Sequence, residues 1–249
     1  MKFNLKIGWL YPELMNIYGD RGNIIALEKR CEWRGIAAQV LMLNVGYAKD
    51  RLIECDMLLM GGAQDKQQEA AAKDLLEKSD LLKERIEKGI PGLYICGAYQ
   101  FLGNYYKEAN GSRIKGLGIF DLYTENPGEN SKRLIGNMIF NSPLLNYLIL
   151  GFENHGGRTY LGNKIQPFGN VIKGFGNNGI DQTEGAVYKN SFGTYSHGPI
   201  LPKNSKFTDY LIKKAIEIKY NENIKFESLN INEEEKARMA IAKRLSVAI

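Results

Sequence analysis

One cysteine stands where a short apolar run changes into a segment of small residues. Leu93-Tyr94-Ile95 precede Cys96, and Gly97-Ala98 follow it. This order predicts a buried strand that turns sharply into a helix. The carboxyl end of such a strand is the ligand-binding edge of an open α/β sheet, and the first N–H groups of a helix favour a thiolate and stabilise an oxyanion. The residues therefore predict Cys96 as a nucleophile, with Gly97 allowing a substrate to approach the backbone closely.

A nucleophilic thiolate needs a base, and the chain has two histidines. His155 and His197 each follow an apolar run that predicts a strand, so either could reach the edge of a sheet. The spacing alone does not choose between them. The other two cysteines have a different setting, because Cys31 lies on the apolar stripe of a predicted helix and Cys55 precedes a strand with no glycine after it. Both are interpreted as small core residues.

Composition excludes several classes of protein. Three cysteines are an odd number, which favours reduced thiols over disulfides, and no Cys-x-x-Cys pair is present, so no metal site is predicted. The formal charge of +5 is spread along the chain, which argues against nucleic-acid binding. The apolar runs are far shorter than the ~20 residues of a membrane span, and the amino terminus lacks the pattern of a secretory signal. We expect a cytoplasmic protein with no transmembrane segment.

The elements around these residues indicate an α/β fold. In the first hundred residues, short apolar runs alternate with helical patterns, which predicts a mostly parallel central sheet flanked by helices. The predicted strands are Phe3–Leu10, Val40–Leu43, Met57–Met60 and Leu93–Ile95, and the predicted helices are Arg21–Arg34 and about Asp65–Lys88. The second half is predicted to be rich in sheet, with strands at Leu134–Phe140, Leu148–Phe152, Gly185–Tyr188 and Ser191–Tyr195.

The carboxyl-terminal part returns to helix. A helix is predicted from Pro202 to Tyr220, followed by the linker Asn221–Asn230 and a last helix with an apolar face. These patterns divide the chain into one domain, residues 1–220, and an accessory segment, residues 221–249, that docks on the core or on a partner.

Four motifs add a resemblance to a known family. In order along the chain they are Met60–Asp65, Cys96–Gly103, Gly151–His155 and Tyr195–Pro199. Together they resemble the cobyric-acid-synthase-like group of class I glutamine amidotransferases, over about residues 3–201. The opening segment Leu10–Asn23 is most similar to the glutaminase subunits of lipid II isoglutaminyl synthases within that group. The resemblance implies the flavodoxin-like α/β fold of class I glutamine amidotransferases.

By this resemblance, Cys96 is the nucleophile and His197 is the acid and base. Many class I glutaminases have a glutamate two residues after this histidine to orient it, whereas this chain has Pro199 there. The imidazole would then be oriented by a backbone carbonyl, by water, or by a carboxylate from elsewhere. Asp20 is the candidate carboxylate, although an aspartate beside a glycine-rich turn is also a common helix cap.

The resemblance also indicates how glutamine is bound. Gln100 takes the position whose amide contacts bound glutamine in the family, and Gly62 lies where a loop N–H completes the oxyanion hole. A guanidinium matches the geometry of the glutamine α-carboxylate. Arg133 is predicted to bind it, with Arg158 as the alternative, and Glu153-Asn154-His155 would shape the pocket wall.

The function implied by the resemblance is hydrolysis of glutamine to glutamate and ammonia. Ammonia would pass to a Mur-ligase-like synthetase subunit in a heterodimer, which uses it to amidate the D-glutamate of lipid II to D-isoglutamine. No cofactor is expected in this chain, because its glycine-rich segment, Gly174–Gly179, lacks the Lys-Ser or Lys-Thr ending of a phosphate-binding loop. ATP and Mg²⁺ would belong to the partner.

Alternative functions remain at this point. The chain could serve another synthetase, such as a cobyric-acid-type amidase, or could be a non-catalytic binding module of the same fold. A papain-like protease is disfavoured by the order of the motifs.

Overall fold

The secondary structure alternates in the first half and is dominated by short strands in the second. The computed structural model of the chain describes residues 2–63 and 65–247. Its strands are β1 (Phe3–Leu10), β2 (Ile36–Leu43), β3 (Met57–Met60), β4 (Gly92–Ile95), β5 (Tyr105–Lys107), β6 (Arg113–Lys115), β7 (Leu122–Glu125), β8 (Leu134–Ser142), β9 (Tyr147–His155), β10 (Arg158–Leu161), β11 (Gly169–Lys173), β12 (Thr183–Glu184), β13 (Ala186–Tyr188) and β14 (Ser191–Thr194). Its helices are α1 (Arg21–Trp33), α2 (Asp50–Ile53), α3 (Asp65–Leu76), α4 (Ser79–Glu87), α5 (Gly97–Leu102), α6 (Ile200–Lys203), α7 (Ser205–Tyr220) and α8 (Asn232–Arg244).

The main sheet has the strand order β13-β14-β4-β3-β1-β2. Adjacent strands of this sheet run parallel, except for the edge pair β13–β14, which is antiparallel. Helices α1, α5 and α7 pack against this sheet. The predicted α/β class with a mostly parallel central sheet is therefore confirmed, as are the bounds of the strands Phe3–Leu10 and Met57–Met60.

Burial explains why the central strands read as continuous apolar runs. Every residue of β3, β4 and β14 is buried, whereas the outer strand β2 alternates between buried and exposed positions. Parallel strands covered on both faces need apolar side chains on both faces, so they lose the alternation of a half-exposed strand. The short apolar runs around Leu58 and Leu93 follow this rule, whereas β14 is buried although two of its residues, Ser191 and Thr194, carry hydroxyls.

The sheet order also decides which loops meet. Strands β1, β3, β4 and β14 are neighbours and run in the same direction. Because parallel strands end at the same edge, the segments that follow them lie side by side. These segments carry Asp20 after β1, Gly62 after β3, Cys96 after β4 and His197 after β14.

The sheet-rich second half forms two further sheets of four strands each. Their strand orders are β10-β7-β5-β6 and β12-β11-β8-β9. The long antiparallel pair β8–β9 is linked to the main sheet by a bridge between Phe152 and His197. This bridge ties the third sheet to the edge of the main sheet.

Two predicted helices are interrupted in the structure. The predicted helix Asp65–Lys88 is two helices, α3 and α4, and Lys78 between them is buried beside Asp74, with Nζ to Oδ2 of 2.7 Å. The predicted helix Pro202–Tyr220 is also two helices, α6 and α7, which meet at Asn204. The Asn204 side chain exchanges hydrogen bonds with the backbone N–H and carbonyl of Leu150, at 2.9 and 2.8 Å. The break at Asn204 therefore coincides with a side chain that bonds a distant strand, whereas Asp74 and Lys78 keep the i, i+4 spacing of helix neighbours.

The carboxyl-terminal helix α8 docks on the outside of β8 and β9. Leu245, just after the helix, packs with Ile139 and Leu150. The Arg238 guanidinium is buried, donates to the Lys203 and Leu148 carbonyls and to Asn204 Oδ1, and lies 4.1 Å from the centre of the Tyr147 ring. In the described part of the chain, no helix has the length and apolar character needed to cross a bilayer.

Candidate active site

Cys96 occupies a strained turn between β4 and α5. Its backbone has φ +54° and ψ −106°, a combination that costs energy in a residue with a side chain. Its N–H donates to the Thr194 carbonyl at 2.8 Å, and its own carbonyl accepts the Gln100 N–H at 3.0 Å. The side chain is 7% exposed. Strain stored at one residue that caps a helix and still contacts solvent is typical of a nucleophile elbow.

His197 lies beside this turn because β14 is the parallel neighbour of β4. Thr194 is in register with Ile95, so the residues after each strand leave the sheet together. The backbone of His197 is then held by Phe152, with N–H to carbonyl distances of 2.6 and 3.3 Å in the two directions. The imidazole is fully buried. Among the described residues, neither of its ring nitrogens has a hydrogen-bond partner, so Nε2 is left for a reacting group.

Gly62 lies between Cys96 and His197, and its lack of a side chain leaves a small space that both residues face. A Cβ at position 62 would lie 3.0 Å from His197 Cε1 and 3.2 Å from Cys96 Cβ. It would also lie 3.2 Å from Ile17 Cγ1. The two chemically active side chains therefore face the same small space, and only glycine leaves that space open.

Asp20 reaches both the imidazole and the Gly62 loop. Its Oδ1 lies 3.8 Å from His197 Nδ1, which is the distance of an ion pair, and its Oδ2 accepts the Gly62 N–H at 2.8 Å. Both Asp20 and His197 are fully buried. Although Asp20 precedes α1, its side chain makes no capping hydrogen bond to that helix.

The N–H of Gly62 itself is already engaged, because it is donated to Asp20 Oδ2. That a loop N–H at this position completes an oxyanion hole stays a prediction. Gly97 is the first residue of α5, so its N–H has no carbonyl partner within the helix. The Gly97 N–H is therefore the donor that the turn offers to an oxyanion.

The charges at the site favour a protonated imidazole. Burial alone would lower the pKa of His197, but the negative charges of Cys96 and Asp20 outweigh it and raise this pKa to about 10. A cation beside a cysteine sulfur favours the thiolate, which is the attacking form. By contrast, burial raises the pKa of both Cys31 and Cys55 to about 12, in agreement with their interpretation as core residues.

The other histidine belongs to the pocket wall. His155 Nδ1 is 2.8 Å from the Gly157 carbonyl, Nε2 is 3.5 Å from Glu153 Oε2, and the ring stacks on Tyr195 with centroids 3.6 Å apart. Burial lowers the pKa of His155, although the Glu153 carboxylate opposes this effect. Its nitrogens face these groups, and the choice between the two histidines that spacing left open therefore falls on His197.

Gln100 lies one helical turn after the nucleophile and is buried. Its Nε2 donates to the Tyr195 hydroxyl at 3.1 Å, and that hydroxyl is 2.6 Å from Thr159 Oγ1. A Cβ at Gly157 would lie 2.7 Å from Gln100 Nε2, so the β9–β10 turn closes tightly over this amide. In this structure the amide nitrogen of Gln100 is engaged in holding Tyr195.

Two arginines were considered for the substrate carboxylate, Arg133 just before β8 and Arg158 at the start of β10. Arg133 is exposed, and its Nε and Nη2 donate to Asn154 Oδ1 and O at 2.9 and 3.0 Å. Arg158 is half-buried and donates to the Gly156 and Lys132 carbonyls. Burial lowers the pKa of Arg158, and the nearby charge of Arg133 adds to the effect. Of the two, Arg133 keeps a more accessible guanidinium for an anionic ligand.

Several residues at the site were not predicted from the sequence. Gln68 is buried against Gly97, and a side chain at position 97 would clash with its amide. Glu184 is buried, accepts Thr194 Oγ1 and the Tyr195 N–H at 2.6 and 2.8 Å, and has its pKa raised by burial to about 7. No motif marks either residue, because each acts on the site through a contact with a distant segment.

Comparison with known proteins agrees with this arrangement. Residues 6–205 match the family of CobB/CobQ-like glutamine amidotransferase domains. The chain belongs to this family. The matched glutamine amidotransferase range contains Asp20, Gly62, Cys96 and His197, and α8 lies beyond it.

Individual relatives support the same assignment. The chain is 47% identical over 232 residues to the lipid II isoglutaminyl synthase (glutamine-hydrolyzing) subunit GatD of Staphylococcus aureus (strain N315), covering 92% of this chain and 90% of that protein. It is 39% identical over 224 residues to the subunit of the same name from Streptococcus pneumoniae (strain ATCC BAA-255 / R6), covering 89% and 84%. A solved glutamine amidotransferase at 16% identity shares the fold, with a TM-score of 0.59 over 84% of this chain and 98% of that one.

Proposed function

We propose that this chain is a glutaminase subunit in which Cys96 and His197 hydrolyse the side-chain amide of glutamine. The observation that carries the proposal is the meeting of the two side chains at Gly62, each within 3.2 Å of the position of a Cβ there. A thiolate and a protonated imidazole in a buried site form the pair required for acyl transfer from a carboxamide.

The first half of the reaction makes a thioester. Cys96 Sγ attacks the amide carbon, and the carbonyl oxygen becomes an oxyanion that the Gly97 N–H stabilises. The His197 imidazolium gives its proton to the departing nitrogen, the carbon–nitrogen bond breaks, and ammonia leaves. The raised pKa of His197 suits this step, because the proton is on the ring before the substrate arrives.

The second half regenerates the thiol. Neutral His197 takes a proton from water, the hydroxide attacks the thioester carbon, and the carbon–sulfur bond breaks to release glutamate. The Asp20 carboxylate, with Oδ1 3.8 Å from His197 Nδ1, stabilises the imidazolium that forms in this step. Arg133 binds the α-carboxylate of glutamine, and Gln100 with Tyr195 forms the wall of the pocket.

The released ammonia would serve a partner. The relatives named GatD support a role as the glutaminase of a Mur-ligase-like synthetase subunit that amidates the D-glutamate of lipid II. ATP and Mg²⁺ would bind to that partner, and the heterodimer would work in the cytoplasm beside its lipid-linked acceptor. We expect the partner to contact the mouth of the Cys96 pocket and the chain alone to have low activity.

Covalent labelling tests the catalytic proposal. Mass spectrometry of the full chain should show one adduct of the electrophilic glutamine analogue 6-diazo-5-oxonorleucine, which loses N2 on reaction. Peptide mapping should place this adduct on Cys96. Cys96→Ala should abolish the labelling, whereas Cys31→Ala, a matched loss of a buried thiol, should retain it. Equal labelling of wild type and Cys96→Ala would refute the role of Cys96.

Co-expression tests the acceptor. The chain is purified with a candidate Mur-ligase-like subunit and assayed for glutamine-dependent amidation of lipid II, with ammonium chloride as the alternative nitrogen source. Cys96→Ala in the complex should lose amidation from glutamine and keep amidation from ammonium. If the complex does not form, and a cobyric-acid-type synthetase is supported instead, the lipid II assignment is wrong although the glutaminase assignment stands.

A further inference from the structure

Tyr18 lies in the segment between β1 and α1, two residues before Asp20. Its φ is +53°, a backbone conformation that is unfavourable for a residue with a large side chain. The side chain is 44% exposed, so burial of the ring does not account for this strain. Backbone hydrogen bonds from the Asp20 N–H to the Ile17 carbonyl and from the Ile17 N–H to the Gly62 carbonyl hold the turn, and the ring and hydroxyl of Tyr18 add further contacts.

The ring of Tyr18 packs edge-on against the catalytic imidazole. The ring centroids of Tyr18 and His197 are 5.0 Å apart, with an interplanar angle of 67°. The imidazole depends on such packing, because among the described residues its nitrogens have no hydrogen bond and its carboxylate neighbour Asp20 is 3.8 Å away. Gly62 faces the ring at Cε1, and Tyr18 restricts its rotation by a second contact.

The hydroxyl of Tyr18 connects this contact to Arg133 through Asn154. It accepts a hydrogen bond from Asn154 Nδ2 at 2.6 Å, and Asn154 Oδ1 accepts one from Arg133 Nε at 2.9 Å. The Asn154 amide thus bridges the two side chains with its opposite ends. In addition, Asn154 and Phe152 point to the same face of β9, and Phe152 pairs with the backbone of His197.

Arg133 is the group that receives the glutamine α-carboxylate in the proposed function, on which this inference rests. Its Nε and Nη2 bind Asn154, and its Nη1 has no hydrogen-bond partner within the described part of the chain. A carboxylate bound at Nη1 would order the guanidinium and, with it, the Asn154 amide that holds Tyr18.

We propose that Tyr18 is a positioning residue that couples binding of the glutamine α-carboxylate at Arg133 to the orientation of His197, through the amide of Asn154. A ligand that reaches Cys96 without a carboxylate would not engage this bridge. The pocket would thereby respond to the amino-acid end of the substrate as well as to its amide.

Two reagents separate these ends. Cys96 in the full chain is labelled with 6-diazo-5-oxonorleucine, which has an α-carboxylate, and with iodoacetamide, which has none. Tyr18→Phe keeps the ring and removes the hydroxyl, and it should slow labelling by the glutamine analogue about threefold to tenfold, the loss expected for one hydrogen bond. Labelling by iodoacetamide should stay within about twofold, because the ring contact with His197 is retained.

Further variants identify the route. Tyr18→Ala, which also loses the ring, should slow both reagents. Asn154→Ala should slow labelling by the glutamine analogue at least as much as Tyr18→Phe, because it also removes the acceptor of Arg133 Nε. The double variant should be no slower than Asn154→Ala alone, because the Tyr18 hydroxyl acts through Asn154. Tyr188→Phe is the matched control, since it removes a hydroxyl that bonds Glu87 at 2.8 Å and should label like wild type.

The outcomes distinguish the two proposals. If Tyr18→Phe slows both reagents equally, or if the Tyr18 and Asn154 effects multiply in the double variant, the coupling is wrong and the glutaminase assignment is unaffected. If 6-diazo-5-oxonorleucine labels wild type and Tyr18→Phe at the same rate, the coupling is also refuted. If the glutamine analogue does not label wild-type Cys96 at all, the proposed function fails and the inference fails with it.

Discussion

Substitution of Asp20 by asparagine tests how His197 is held. The change removes one negative charge and keeps the size of the side chain. The asparagine Oδ1 can still accept the Gly62 N–H, which Asp20 Oδ2 accepts at 2.8 Å. The anchoring of the Gly62 loop is therefore preserved, and the loss of charge beside the imidazole is the main perturbation.

The magnitude follows from the geometry. Unit charges 3.8 Å apart interact by about 4 kcal/mol at an effective dielectric constant of about 20. Both groups are fully buried, so solvent screening is weak. Since each 1.36 kcal/mol of barrier is about tenfold in rate, we expect kcat to fall about 10²-fold to 10³-fold with little change in KM. The pKa of His197 should also fall, because Asp20 is one of the charges that raise it.

Initial rates of glutamate release as a function of glutamine concentration, measured with and without the partner subunit, give kcat and KM. The pH dependence of Cys96 alkylation gives the change in the pKa of the His197 imidazole. Asp121→Asn, which alters a carboxylate just before β7 that accepts the Lys164 N–H, is the isosteric control. A kcat for Asp20→Asn within about threefold of wild type would show that the charge does not support the imidazole.

Three further results are expected. Gly62→Ala should lower kcat about 100-fold while the protein stays folded by circular dichroism, because the new Cβ would separate Cys96 from His197. Protonated His197 should stabilise the fold: burial lowers its pKa, but Cys96 and Asp20 raise it from 6.5 to about 10. This contribution is complete below pH 6.5 and lost as the pH rises through about 10, so urea unfolding should show a fall in stability across that window that Cys96→Ala flattens. Arg238→Ala should lower the free energy of unfolding by about 2–4 kcal/mol in urea, against less than about 0.5 for the exposed Lys236→Ala.

Local sequence predicts the elements that are dominated by burial. The central strands were found because residues covered on both faces must be apolar, and Phe3–Leu10 was found to the residue. The same reasoning placed Cys96 and both histidines at the ends of strands, but it did not choose between His155 and His197. The resemblance to the family made that choice, and the pairing of β14 with β4 then brings His197 beside Cys96.

Contacts between distant segments were beyond reach of the pattern. The helix break at Asn204 accompanies its hydrogen bonds with the backbone of Leu150, a partner that helical periodicity does not reveal. The hydrogen bond from the Gly62 N–H to Asp20 Oδ2, at 2.8 Å, was likewise not predicted. Both contacts are decided by tertiary packing and not by residue type.

Pro199 shows how a departure from the family pattern is accommodated in space. It stands where the resemblance places an orienting glutamate, and it cannot supply a charge to His197. Its ring instead packs against Gly22, in the first turn of α1, so closely that a side chain at position 22 would clash with it. Asp20 lies two residues before Gly22, and its carboxylate reaches the imidazole from that turn. The residue that replaces the glutamate therefore helps to fix the segment that carries another carboxylate, and the buried charge beside His197 comes from the loop after β1.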